Sequence, residues 1–502
     1  MDASNGCPSA TTLPTRPLSI RTKPRAAAAE WTTDDSMEEK APVTPTARLM
    51  ENVYIIITIG IGSSLNIPVF SAGIASQLAR YQRFQSIQVA DGSKDGNRRW
   101  ARVKVKVDDH IIIPTLDPLA VEADADQVLE DYVASLLALP MDPSRPLWEF
   151  HFLDFPTSEA TSTVVIRVHH SLGDGMSLMT LLFASAHSVA DPTRPPAMPK
   201  QPERTGAIYV PRPRSAGTLA ILRWVWSYVL LAWNTMVDVA FFVATVMFLQ
   251  DPKTLFKYYD NTVVNPRRRF VHRTLSFDDV KLIKNAVNCT VNDVLVGATS
   301  AALSQYYFRK SGNTNTKKVC LRSVLPVNLR ETSSLQKNVN MIESGKSDDV
   351  TWGNQLGYVI LPFHLARHHD PLEYVHKAKK TMDRKKASLE VVFTCKISEV
   401  FLQMFGIKAG AFIFRRMFAN TTMAFSNMIG PAEPTEMYGH PIMFIAPSVY
   451  GVPQALIVHY QSYGSTMTVT LSVDDEIFPD YSQLLDDFID SFGHIKDAAS
   501  RL

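Results

Sequence analysis

The sequence predicts a mixed α/β (α+β) fold, and three observations lead there. Apolar residues recur with a period of two in some segments and of 3.6 in others, and the two kinds alternate irregularly in both halves. No short repeat period is present, which argues against a solenoid. The length of 502 residues exceeds one small domain and suits two or three large units.

Each element follows in order. Residues 1–43 are rich in Ser, Thr, Pro and Ala and lack an apolar period, so they cannot bury enough surface to offset ordering. Arg16, Arg21, Lys23 and Arg25 occur with no acid between Asp2 and Glu30, so the segment reads as a transit peptide or as a flexible tail. The tail is the preferred reading. Val53–Ile61 is β-branched and reads as a buried strand, and Trp100–Val107 as an alternating edge strand. Asp124–Leu139 has helical spacing, Leu147–Phe155 and Thr163–His169 are strands, and Met176–Ala190 is a helix. A Pro- and Arg-rich crossover occupies 191–217.

Trp224–Leu249 carries one charge, Asp238, among mostly apolar residues. As a helix it would reach ~39 Å, and Trp224, Trp226, Tyr228 and Trp233 crowd one end as interfacial aromatics do. A membrane-associating helix is predicted, with a buried core helix as the alternative. In the second half, Ser276 and Thr290 are placed to cap two helices. Strands are predicted at Val319–Val327, Gly357–Pro362, Ala455–His459 and Thr466–Val473. Leu372–Ser388 is a basic helix, Ile397–Phe418 an apolar stretch that packs in the core by default and otherwise lines an acyl tunnel or dips into the interface, and Ser482–Ile495 a closing helix. The expected division is a tail over 1–43, a compact region over 44–205, a crossover over 206–262 containing the apolar segment near 219–249, and a second compact region over 263–502.

Charge and cysteine usage exclude several functions. Lys and Arg total 51 against 49 acids, a balance that offers no basic excess for nucleic-acid phosphates. Cys7, Cys289, Cys320 and Cys395 form no CxxC pair, so neither a disulfide framework nor a structural zinc site is expected, and a cytosol-facing setting is.

The chemistry concentrates in the run Val164 to Leu178. A strand delivers His169 and His170 to its end, and Asp174-Gly175 opens a helix. An imidazole there suits a general base near neutral pH, and neighbouring strand residues point opposite ways, so only one of the pair can face a given cleft. Asp174 reads equally as a helix N-cap and Gly175 as a turn residue.

His169 to Gly175, HHSLGDG, resembles the HHxxxDG signature of the superfamily that includes chloramphenicol acetyltransferase and peptide-synthetase condensation domains. Thr44-Pro-Thr-Ala-Arg-Leu-Met50, Pro146-Leu147-Trp148, Asn292-Asp293, Pro326 to Arg330, and Ser426-Asn427 with Gly430-Pro431 are similar, in order and spacing, to blocks of the wax ester synthase/diacylglycerol acyltransferase family, its plant branch in particular. The resemblance covers about residues 44–500. It implies two similar lobes of chloramphenicol-acetyltransferase type with a substrate channel between them. It also implies acyl transfer from acyl-CoA, a substrate, to a long-chain alcohol or diacylglycerol, without a cofactor or metal.

By this resemblance His170 is the general base, His169 supports the loop, and Asp174 holds it through an arginine. Asn292 either aids the oxyanion or positions its loop; capping by Asn292 and Asp293 is the plain alternative. Pro146, Leu147 and Trp148 are expected to pack around the cleft, and Ser426 and Asn427 to lie near the channel. Because His170 and Asn292 flank the apolar segment, a single-pass span would put the lobes on opposite sides of the bilayer. A re-entrant or interface-embedded helix in contact with membrane lipid is therefore expected, at the endoplasmic reticulum or plasma membrane with both lobes cytosolic. The alternatives are acylation of another alcohol or a sterol, and a non-catalytic lipid-binding relative.

Overall fold

The computed structural model describes residues 42–90, 98–137, 139–199, 218–257, 267–312, 319–329 and 356–502. Its centre is set by the strand Tyr54–Ile61, whose run of isoleucines is buried along seven of eight positions. Such a strand has no solvent face, so it must lie inside a sheet. It pairs antiparallel with Ser162–His169 on one side and His440–Tyr450 on the other. Seven strands form this sheet, in the order Ile111–Ile112, Trp148–Leu153, Ser162–His169, Tyr54–Ile61, His440–Tyr450, Thr435–Met437 and Ala186–Ser188. Residues 435–450 come from the far end of the chain, so the second half does not form a self-contained lobe from residue 263 onwards.

A second sheet of six strands runs Leu356–Leu365, Val319–Asn328, Met423–Ile429, Leu456–Tyr463, Thr466–Asp474 and Arg268–Ser276. The helices Val291–Ser311 and Tyr481–Ala499 cover it and share its largest core cluster, with Val294, Ala302, Leu484 and Ile495 fully buried. Both expected caps form: Ser276 accepts from Asp279 N, and Thr290 and Asp293 make a reciprocal capping box. The lobes meet where the helix Ala125–Leu137 packs on Arg268–Ser276, with Asp131 paired to Arg269.

Three expected elements differ. The edge strand begins at Arg98 and ends at Arg102, because its partner Ser86–Ala90 gives way to a short 3₁₀ turn at Gln82–Gln85. The helix after the histidines stops at Ala184, and Ala186–Ser188 is captured as an edge strand by Thr435–Met437. Ile397–Phe418 is not core: it belongs to Glu390–Ala419, where only Glu390, Thr394, Cys395, Leu402, Gly410, Met417 and Phe418 are buried.

The apolar segment forms the helix Thr218–Met247, and it is not a core helix either. Only Leu231, Asp238, Thr245 and Val246 are buried. The first three recur every seven residues, a single seam against the protein. Asp238 lies in that seam, 2.7 Å from Arg384 and 3.0 Å from Lys385. The expected tail lies outside the described residues as far as residue 41, as does Arg330.

Candidate active site

The strand Ser162–His169 is buried throughout and ends opposite Tyr54. Backbone bonds carry its register into the histidine pair: His169 N donates to Leu147 O at 3.0 Å, and His170 N to Val53 O at 2.9 Å. Leu147 therefore contributes its carbonyl, while Trp148 is fully buried, donating from Nε1 to Phe84 O at 2.9 Å and stacking 4.0 Å from His110.

His169 is engaged at both ring nitrogens. Its Nε2 lies 2.7 Å from Glu51 O, and a carbonyl can only accept, so Nε2 carries the proton. Nδ1 then accepts from the Ser171 hydroxyl at 2.7 Å, and Ser171 Oγ accepts in turn from Gln88 Nε2 at 2.7 Å. Burial lowers the pKa of His169, with the Glu51 carbonyl pulling the other way. Tyr54 packs edge-on at 5.2 Å, with the Arg167 guanidinium 5.0 Å from its ring centroid. The helix Pro45–Leu49, capped by Thr44, leads directly into Glu51 and Val53, which explains why that opening block belongs to the site. His170 is buried beside its neighbour, and its positive form would further disfavour protonation of His169.

Asp174 is fully buried and caps the helix Gly175–Ala184, accepting from Ser177 N at 2.9 Å. Its charge reaches Tyr358 on the second sheet, whose hydroxyl pKa is raised by burial first and by Asp174 next. A Cβ added to Gly175 would meet Met428 Cε at 3.0 Å, so a glycine lets the loop close on the strand Met423–Ile429. The residue before that methionine, Asn427, donates from Nδ2 to Asn292 Oδ1 at 2.6 Å. This contact orients Asn292 with its own amide NH₂ available as a donor. Asp293 instead accepts from Thr290 N at 2.8 Å and lies 3.7 Å from Lys386 Nζ, a structural role. Ser426 pairs in register with the buried His459.

The second sheet thus comes to the histidine loop through Tyr358 and Met428. Sequence reasoning missed both, together with Ser171, Gln88 and the Glu51 and Val53 carbonyls. Ser171 stood inside the signature and Met428 inside the block Ser426 to Pro431; the others carry no local signal, since the fold alone makes them neighbours. Three hollows of about 500, 730 and 240 Å³ lie elsewhere, and neither histidine is in their walls. No group of three or more His, Cys, Asp or Glu side chains suited to a metal ion occurs among the described residues.

Comparison with known proteins fits this geometry. The family description "Wax ester synthase/diacylglycerol acyltransferase catalytic domain" matches residues 57–295, and "WS/DGAT C-terminal domain" matches 352–496. Wax ester synthase/diacylglycerol acyltransferase 4 of Arabidopsis thaliana is 41% identical, covering 93% of this chain and 92% of that protein. Number 5 of the same plant is 40% identical over 91% and 94% of the two. Among solved structures, the wax ester synthase/diacylglycerol acyltransferase from Marinobacter aquaeolei VT8 superposes with a TM-score of 0.55 at 16% identity, covering 92% of this chain and all of that one. The first condensation domain of the calcium-dependent antibiotic synthetase gives 0.55 at 14%, covering 92% and 97%. At such identities the two structures speak for the fold alone.

Two sheets of this topology have the chloramphenicol-acetyltransferase-like fold of the condensation domains, and the plant relatives make the chain an acyltransferase. Within that class, the chain belongs to the wax ester synthase/diacylglycerol acyltransferase family.

Proposed function

We propose that this acyltransferase moves a long-chain acyl group from acyl-CoA to the hydroxyl of a fatty alcohol or diacylglycerol, with His170 as general base. The acceptor oxygen loses its proton to the imidazole as it attacks the thioester carbonyl, and the C–S bond then breaks. CoA leaves as thiolate and takes the proton back from the imidazolium. Nothing in this sequence of steps calls for a covalent acyl-enzyme. The observation that supports the assignment is the engagement of His169 at both nitrogens, which unsuits that ring to be the base. Asp174 holds the loop, and the Asn292 amide is the donor for the developing oxyanion.

We place the enzyme at the endoplasmic reticulum membrane, both lobes on the cytosolic side, with Thr218–Met247 lying in the interface. The exposed apolar surface of that helix, and the seam that docks it on the protein, support an interfacial position over a free span. Protease protection of both flanks in microsomes tests it; a lumenal lobe refutes it.

The function is tested with purified wild type and His170→Ala, supplied with labelled acyl-CoA and either hexadecanol or diacylglycerol. Product formation is expected to fall ~10²–10⁴-fold in the variant. Equal turnover removes His170 as the base, and an inactive wild type with both acceptors removes the substrate assignment.

A further inference from the structure

We propose that Glu390–Ala419 is a second bilayer-inserting element, a V-shaped helical hairpin that works with Thr218–Met247 to seat the enzyme on one leaflet beside its histidine loop. The membrane partner follows from the surface; the role in acceptor delivery rests on the acyl-transfer reading above.

The helix is broken at Gly406, whose φ of 74° and ψ of 177° no L-residue adopts readily. The chain turns back there. A Cβ on Gly410 would come 2.1 Å from Leu402 Cδ2, although eight residues of straight helix separate their Cα atoms by ~12 Å. The anchoring contacts agree. Leu389 N donates to Thr235 Oγ1 at 3.0 Å, and Arg416 Nε donates to Val246 O at 3.3 Å. Those anchor points are ~17 Å apart on one helix, whereas residues 389 and 416 would be ~40 Å apart along a straight one. The two arms therefore form a V whose ends rest on Thr218–Met247 and whose tip carries Met404, Phe405 and Gly406.

That tip is apolar and uncovered: Met404 is 69% exposed and Phe405 59%. Of the 27 exposed large hydrophobic residues among those described, nineteen lie within 218–248 and 390–412. A monomeric soluble surface rarely concentrates apolar side chains in this way. Charge complementarity identifies the partner as a lipid leaflet with anionic headgroups. Lys396, Lys408 and Arg415 are exposed on the hairpin, Arg223 is exposed near the start of the longer helix, and Glu399 is the one exposed acid within the hairpin. Lys408 lies two residues behind the tip, where its stem can reach back to headgroups while Phe405 sits below them. The expected depth is the ~5–10 Å of an interfacial element.

Both arms also rest on residues of the histidine site. Gly410 packs toward Leu49, with a Cβ there 3.4 Å from Leu49 Cδ2, and Glu51 two residues on holds His169. At the other arm, Thr394 Oγ1 accepts from Tyr358 N at 2.9 Å and donates to Tyr358 O at 3.0 Å, and Tyr358 is the side chain Asp174 acts upon. A lipid acceptor leaving the bilayer along the hairpin arrives at the loop without crossing water.

Flotation of the purified full chain with phosphatidylcholine/phosphatidylserine vesicles tests the hairpin. Met404→Asp combined with Phe405→Asp is expected to lower the bound fraction at least ~10-fold, while Met404→Leu with Phe405→Leu binds as wild type. Turnover of vesicle-borne diacylglycerol should fall with binding, and turnover of water-soluble butanol should not change. Unaltered vesicle binding by the Asp pair overturns the proposal. Should that pair fail to fold, Phe405→Trp with brominated lipid decides: added quenching over wild type supports insertion, and none overturns it. A wild type that binds vesicles but transfers no acyl group to either acceptor refutes the acyl-transfer reading and leaves the hairpin standing.

Discussion

The histidine loop and the paired apolar helices solve opposite problems. In the loop, polar groups are taken out of water and each named partner is supplied by protein: Glu51 O and Ser171 for His169, Ser177 N for Asp174, Val53 O for His170 N. Burial there is tolerable because hydrogen bonds replace water. On Thr218–Met247 the reverse holds, with apolar side chains left outside and one carboxylate, Asp238, drawn inward to Arg384 and Lys385. In the first region the named polar groups are bonded within the protein. The second docks on the protein along a seam, and its outer apolar surface is exposed.

Breaking that seam should have the largest effect. Asp238→Ala leaves Lys385, whose side chain is 7% exposed, with Glu390 as its remaining partner, and should cost about 3 kcal/mol in denaturant unfolding. A variant as stable as wild type would mean that the helix docks by apolar contact alone, and the contrast between the regions would weaken.

Acidification probes the buried histidines. Burial holds His459 down to about 4, against ~6.5 in an unfolded chain, so the unfolded state binds more protons throughout that window. Stability is therefore lost as pH falls through it, by about 2 kcal/mol at pH 5 from this residue. Glu130, raised to about 7 by burial, opposes this because its folded form holds a proton that unfolding releases. Comparing His459→Gln with wild type isolates the histidine: the variant's stability should decline less between pH 6.5 and 5. Parallel declines would sink the assignment.

The smallest effect belongs to Asn427→Ala, which removes the donor to Asn292 Oδ1. About 1 kcal/mol of stability should go, and turnover should drop through kcat more than KM if Asn292 serves the oxyanion. A change confined to KM would make the pair a binding feature.

Much of the site was legible because its blocks are local. HHSLGDG is a strand end, a turn and a capped helix in sequence, and Asp174 caps as its type and place predicted. Thr290 and Asp293 likewise close a box three residues apart. The pairing of Asn292 with Asn427 was not legible, although both stood in recognised blocks, because 135 residues separate them. Gln88 and Tyr358 were missed for the same reason. The strand His440–Tyr450 escaped because its place beside Tyr54–Ile61 depends on a return across the lobes that no periodicity records. Ile397–Phe418 was read as core by default, with a tunnel or the interface as alternatives, because composition measures apolarity and says nothing of which face is covered.

By itself, the sequence determined the chemistry available: a histidine pair, a capping aspartate, and an apolar segment interrupted by one acid. Those properties live within a few residues and follow from backbone geometry and side-chain type. Tertiary structure decided which histidine is tied at both nitrogens, which asparagines meet, and that two apolar helices pack together with most of their apolar side chains uncovered. Such outcomes depend on contacts between distant segments, whose register and packing are set only when the sheets and helices bury one another.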